Sequence, residues 1–295
     1  MRRWAATLSC VFVLAAVAGC TGAPAGIDGD LTDDWPALPA ALQFRPADHT
    51  CYDKLSATAS PSDYAPIPCT GSHVAEAVAV GDLVSVGNIN DGLLERDAPA
   101  RAFQECSKQA DAFLGADWRT GWLIMQPVLP STAGWNGGAR WYRCDLAETS
   151  PVDGAVVDRT TTIKGGLRAG SKLRMACANP KIAGEQVTEM HPVTCSKAHT
   201  SEFAGLWQTT AGTSDDLSTA KVEKGCDAAI AKFAGIPDNS SITARVGWLG
   251  FPPDETSWQA GDRAIRCFLW LNGEKMTGSY RNAGTKKLKI HYVYR

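Results

Sequence analysis

A chain of 295 residues is long enough for two ordinary domains. At 44% hydrophobic and 20% charged, it is neither a disordered nor a fibrous protein. A formal net charge of -2 excludes bulk attraction to nucleic acid, and a single continuously apolar stretch, close to the N-terminus, excludes a polytopic membrane protein.

That stretch follows Arg2 and Arg3 and runs over residues 4–18 without a charge. A basic flank and an apolar core of this length are those of a signal peptide, too short to span a bilayer as a mature helix. Small residues then precede a cysteine in Val17-Ala18-Gly19-Cys20, which resembles the bacterial lipobox, with Val17 where that pattern usually has Leu. The resemblance implies a signal peptide over 1–19 and a diacylglycerol on Cys20. Two acyl chains suffice for stable attachment, so the expected location is the outer face of the cell membrane. Cys10 lies too early in the apolar core to compete. Residues 20–47 are rich in Gly, Ala, Pro and Asp and read as a lipidated tether.

The remaining cysteines fall into two sets of four: Cys51, Cys69, Cys106, Cys144, then Cys177, Cys195, Cys226, Cys267. Neighbouring residues recur at fixed offsets. His73 and Glu76 follow Cys69 as His199 and Glu202 follow Cys195, and Phe113 and Gly115 follow Cys106 as Phe233 and Gly235 follow Cys226. Trp135, Gly138 and Arg140 precede Cys144 as Trp258, Gly261 and Arg263 precede Cys267. The expectation is one module written twice, over 48–170 and 173–284. An exported chain with cysteines at repeated spacings reads as a disulfide framework. Each set of four allows three pairings. The favoured one joins first with second and third with fourth, stapling two neighbouring strands and tying a helix to the strand beneath it. Without a CxxC pair zinc is disfavoured, and no metal or other cofactor is expected.

In chain order, each module begins with a short strand at its first cysteine and a loop. A second strand follows over 76–80, and its counterpart is 202–207. A helix over 98–114 has apolar residues at helical spacing and ends at Gly115; its counterpart over 218–234 ends at Gly235. Two further strands are expected over 121–125 and 140–146, matched by 247–249 and 263–271. Between the strands of each pair, a Pro-containing loop carries Trp135 or Trp258. This order predicts an α+β fold of two disulfide-stapled modules, each a small antiparallel sheet with one packed helix. The basic, aromatic tail over 285–295 suits contact with lipid headgroups or teichoic-type polymers, but an edge strand whose lysines discourage aggregation is the preferred reading.

Taken together, Cys51-Tyr52, Cys-x3-His-x2-Glu, Cys-x6-Phe-x-Gly and Trp-x2-Gly-x-Arg-x3-Cys resemble the septum-formation domain family, in two copies over nearly all of the mature chain. Cys177 departs from the pattern in lacking the aromatic neighbour. The resemblance implies an exported or membrane-tethered actinobacterial protein associated with the cell envelope. It brings no assigned catalytic residues.

The polar candidates are few. His73 with Glu76, and His199 with Glu202, have the types and spacing of a metal-ligating pair or of a base and its orienting group. The competing expectation is that each imidazole bonds backbone in its turn while the Glu starts a strand. Arg140 and Arg263 suit stacking on the tryptophan five residues before each, or clamping an anion. An ion pair with Glu76 or Glu202, or simple exposure, is preferred. Trp122, Trp135, Trp248 and Trp258 match between the copies and read as core. Trp35, Trp118, Trp141, Trp207 and Trp270 do not match; scattered packing is preferred to a shared aromatic platform for glycan or peptide. The expected function is a non-enzymatic binding or scaffold lipoprotein, its partner a division protein, a wall-assembly protein or the wall polymer. The alternative is an envelope hydrolase or metal-binding protein using a His/Glu pair.

Overall fold

The structure, a computed structural model, describes residues 43–56, 65–83 and 91–290. The signal peptide, Cys20, nearly all of the tether and the last five residues of the tail lie outside the described residues.

Two antiparallel sheets organise the chain. The first has β1 (Thr50–Tyr52), β2 (Ala75–Asp82), β3 (Leu123–Val128) and β4 (Trp141–Glu148) in the order β1-β2-β4-β3. The second has β5 (Cys177–Ala183), β6 (Gln186–Pro192), β7 (Ser201–Gln208), β8 (Gly247–Phe251) and β9 (Ala264–Trp270) in the order β6-β5-β7-β9-β8. A bulge interrupts the same place in each central pair, between Ala77 and Ala79 against β4 and between Phe203 and Gly205 against β9.

Each sheet carries one long helix. α1 (Asp91–Leu114) packs on β2, β3 and β4, burying Ala98, Ala102, Phe103, Cys106, Ala110 and Leu114 along one face. Gly115 ends it at φ 83°, its N–H returning to the carbonyl of Asp111. The helix starts seven residues before the expected position and runs through Pro99. Proline next to an apolar face looks like a first-turn residue, which is why the preceding turns were not legible. The counterpart, here numbered α3 (Thr219–Ala234), lies on β7, β8 and β9 with Val222, Cys226, Ile230 and Phe233 inward, and ends at left-handed Gly235, φ 67°.

Four disulfides join Cys51 to Cys69, Cys106 to Cys144, Cys177 to Cys195, and Cys226 to Cys267. The second and fourth tie a helix to the central strand β4 or β9. The first and third differ from the expected strand-to-strand staple: Cys69 and Cys195 lie in turns, so each bond holds a turn against a strand.

Three other expectations are corrected. In place of loops, Trp135 and Trp258 ride on single-turn helices, α2 (Thr132–Asn136) and α4 (Glu255–Gln259). These are capped by the side chains of Ser131 and Asp254, which accept from Gly134 N and Ser257 N. β6 was expected as loop; it forms a hairpin with β5 through a two-residue turn with Gly184 at φ 62°. In the tail, Gly284–Lys287 forms a short helix, α5, and Leu288 is buried, its carbonyl accepting from Arg245 Nη1. A chain that plugs its own core there cannot serve as an edge strand over those residues.

The described residues from Phe44 onward belong to one compact unit. The two sheets share contacts, and residues 171–175 are more than a linker. Leu173 belongs to the core under α1, and Met175 N bonds the carbonyl of Thr120. Trp122, just before β3, packs into the core of the second sheet, 6.3 Å from Phe268 between ring centroids.

Candidate functional site

Strand register places the His/Glu motifs. Cys51 stands opposite Glu76 across β1 and β2, and Cys177 stands opposite Glu202 across β5 and β7. His73 and His199 come three residues before the glutamates, in the turns held by the disulfides.

Both histidines are fully buried and bonded to backbone. His73 Nδ1 lies 2.9 Å from the carbonyl of Gly71, and His199 Nδ1 lies 2.7 Å from that of Lys197. Their main chains also form bridges, His73 with Arg159 and His199 with Met276. Each glutamate accepts one bond on each carboxylate oxygen from the chain that follows the last strand of its sheet. Glu76 accepts from Thr162 Oγ1 at 2.6 Å and from Ile163 N at 2.9 Å; Glu202 accepts from Ser279 Oγ and from Tyr280 N at 2.8 Å. Each motif therefore clamps a returning loop to its sheet. With His73 at 2% exposure, His199 at 0%, and both glutamates at 5%, none faces solvent as a base or ligand for substrate.

The expected ion pairs of Arg140 and Arg263 with these glutamates are not what the structure has, because the glutamates' oxygens are already held. Each guanidinium lies 4.3 Å from a tryptophan ring centroid, Arg140 over Trp135 and Arg263 over Trp258. Nη1 of each donates to the carbonyl of that same tryptophan, at 2.7 and 2.6 Å. These arginines fasten the single-turn helices α2 and α4. Among the described residues no tryptophan is fully exposed as a platform residue would be. Trp118, Trp135, Trp141 and Trp258 are buried, Trp122, Trp207, Trp248 and Trp270 are half-buried, and Trp35 lies outside the described residues.

Sequence reasoning missed two groups. Arg143 and Asp145 form a fully buried bidentate pair on β4, at 2.8 and 2.7 Å, with Arg143 stacked 4.0 Å above Tyr52. Arg119, Asp262 and Arg266 link the two sheets: Arg119 Nε donates to Asp262 Oδ1 at 2.9 Å, and Arg266 donates to the carbonyls of Arg119 and Leu123. Nothing local in the sequence marks partners so far apart. The third member of a metal-type cluster was also missed, since Cys177 meets His199 and Glu202 only through strand register.

Two clefts open between the sheets. The larger, about 360 Å³, has Phe103, Met125, Pro127 and Leu129 on one side and Gln259 and Ala260 of the second half on the other. The smaller, about 230 Å³, is lined by Trp118, Arg119, Phe251, Pro253 and Arg266 among others. No helix among the described residues is long and apolar enough to cross a membrane.

A family model described as septum formation matches residues 48–267 as one stretch that runs from before β1 into β9 and takes in all eight disulfide cysteines. No curated protein and no solved structure matches the chain.

Proposed function

The chain belongs to the septum-formation family, and from that premise we propose that it is a lipid-anchored envelope protein that binds a division or wall-assembly partner without catalysing a reaction. The observation that carries the non-enzymatic part is the sealing of the His/Glu motifs. Their side chains are buried and their carboxylates are bonded to the protein's own loops, so they hold shape and leave the open apolar cleft between α1 and α4 as the surface for a partner. Support for the anchor comes from the charged flank, apolar core and lipobox-like cysteine at position 20, and a location outside the cytoplasm, where disulfides persist, agrees with the four disulfides.

We also read the two sheets as copies of one module. Shared strand order around each helix supports this, as do a bulge at the same place in each and an equal Trp–Arg stacking distance. β6 is an addition to the second copy.

The test is crosslinking in cells from the outward face, followed by mass spectrometry of what the full-length chain captures. A division protein, wall-assembly protein or wall polymer is the expected catch, lost when Leu129→Glu or Ala260→Glu closes the cleft. A catch unchanged by both variants overturns the proposed surface, and turnover of a wall substrate by the purified chain overturns the non-enzymatic reading.

A further inference from the structure

Where β5 meets β7, three ligand-type side chains converge. A ring nitrogen of His199, the sulfur of Cys177 and a carboxylate oxygen of Glu202 lie within 4.8 Å of one another, and all three residues are buried. The imidazole is set as an acceptor. A carbonyl only accepts, so the bond to Lys197 puts the proton on Nδ1 and leaves a lone pair on Nε2. That Nε2 is buried with no hydrogen-bond partner among the described residues, an arrangement that carries a desolvation cost. His73 Nε2 is orphaned in the same way, but Cys51, His73 and Glu76 do not gather as tightly. Among the described residues the second-sheet corner is the one such group.

What withholds the corner from a metal is the bond from Cys177 to Cys195. Cys177 is 1% exposed, whereas Cys195 sits half-buried in its turn, so an incoming thiolate reaches the Cys195 sulfur first. We infer that reduction of this disulfide by a dithiol opens a site for a zinc-class divalent cation, held by Cys177 Sγ, His199 Nε2 and Glu202.

In the first step the attacking thiolate bonds Cys195 Sγ, the Sγ–Sγ bond breaks, and Cys177 leaves as thiolate. The second thiol of the reductant then displaces Cys195, so the dithiol is oxidised to its own disulfide and two electrons reduce the protein's cysteines. A thiolate, a carboxylate and a neutral imidazole balance a dication, which suits a buried site. Ligand distances of about 2.0–2.3 Å require the three atoms to draw in by roughly 1 Å, which the opened bond permits. Ser279 and Tyr280 continue to orient Glu202 from behind.

The full chain is titrated with Co²⁺, whose thiolate charge-transfer absorption reports sulfur ligation, before and after dithiothreitol treatment without denaturant. One equivalent is expected to bind only after reduction and to be displaced by Zn²⁺; His199→Gln loses the absorption and His73→Gln keeps it. Cys195→Ser frees Cys177 without any reductant and is expected to bind Co²⁺ directly. Should either His199→Gln or Cys195→Ser fail to fold, the reduced unmodified chain and His73→Gln decide alone. No thiolate–cobalt absorption in the reduced chain, or its loss in His73→Gln with circular dichroism matching the parent, overturns the site.

Discussion

Arg119 and Asp262 form a salt bridge, Nε to Oδ1 at 2.9 Å, that spans 143 positions of sequence and joins the two sheets. The side chains are 12% and 5% exposed, so solvent screens the bond little. Around it, Arg119 stacks over Trp118 at 4.7 Å, Asp262 accepts from Ala264 N, and Arg266 donates to the Arg119 carbonyl. Together with Trp122 packed against Phe268, this bridge holds the two sheets to each other.

Removing Asp262 leaves Arg119 with only its longer pair to Asp117 Oδ1, at 3.3 Å, and removing Arg119 leaves Asp262 charged and buried. Asp262→Ala and Arg119→Ala are each expected to cost about 2–4 kcal/mol in urea unfolding, and the double variant less than the sum. Strict additivity would show that the two residues act separately.

Glu202 joins β7 to the loop at Ser279 and Tyr280 through two hydrogen bonds. Glu202→Ala strips both acceptors from a buried position and is expected to lose about 2–3 kcal/mol, while Glu202→Gln, which keeps one carbonyl, loses about 1–2 kcal/mol. Amide exchange at Tyr280 supplies the specific readout, accelerating in the alanine variant ahead of global unfolding. Unchanged protection there would mean that the clamp is held by something else.

Legibility followed how local each determinant is. Helix ends could be read because Gly115 and Gly235 announce themselves by residue type, and the cysteine arithmetic could be read because spacing repeats. β6 could not: its residues mostly face solvent, so it lacks the core-facing alternation that betrays a strand. The His/Glu motifs were legible as motifs, and their backbone-bonding role was one of two open expectations. That Cys177 completes a trio with His199 and Glu202 depends on pairing between strands more than twenty residues apart, and the Arg119–Asp262 bridge on packing of one half against the other. No periodicity within a window carries either.

The four disulfides divide by burial. Cys106, Cys144, Cys226 and Cys267 are all 0% exposed, whereas Cys69 and Cys195 are half-buried in their turns. Under a dithiol without denaturant, alkylation and mass spectrometry are expected to find Cys51–Cys69 and Cys177–Cys195 opened first. The bonds beneath α1 and α3 should open only with global unfolding. Cys226→Ser with Cys267→Ser, which releases a loop of separation 41, is expected to cost about 4 kcal/mol on the chain-entropy account. Simultaneous opening of all four would contradict the division.

Asp227 predicts a pH dependence. It sits on α3 at 8% exposure, and its Oδ1 has no hydrogen-bond partner among the described residues. Burial first, then the charges of Glu223 one turn earlier and of Asp238, push its carboxyl from 3.8 to about 6. Between those values the folded chain keeps a proton that the unfolded chain has released, so its ionisation opposes folding. The penalty is absent below pH 4, grows as pH rises, and is complete above pH 6. Partial access of solvent reduces it to the order of 1–2 kcal/mol. Asp227→Asn, which never ionises, is therefore expected to match the parent near pH 4 and to exceed it in urea midpoint by pH 7. A gap of constant size across that range would refute the assignment, because a packing effect of the amide has no reason to follow proton release.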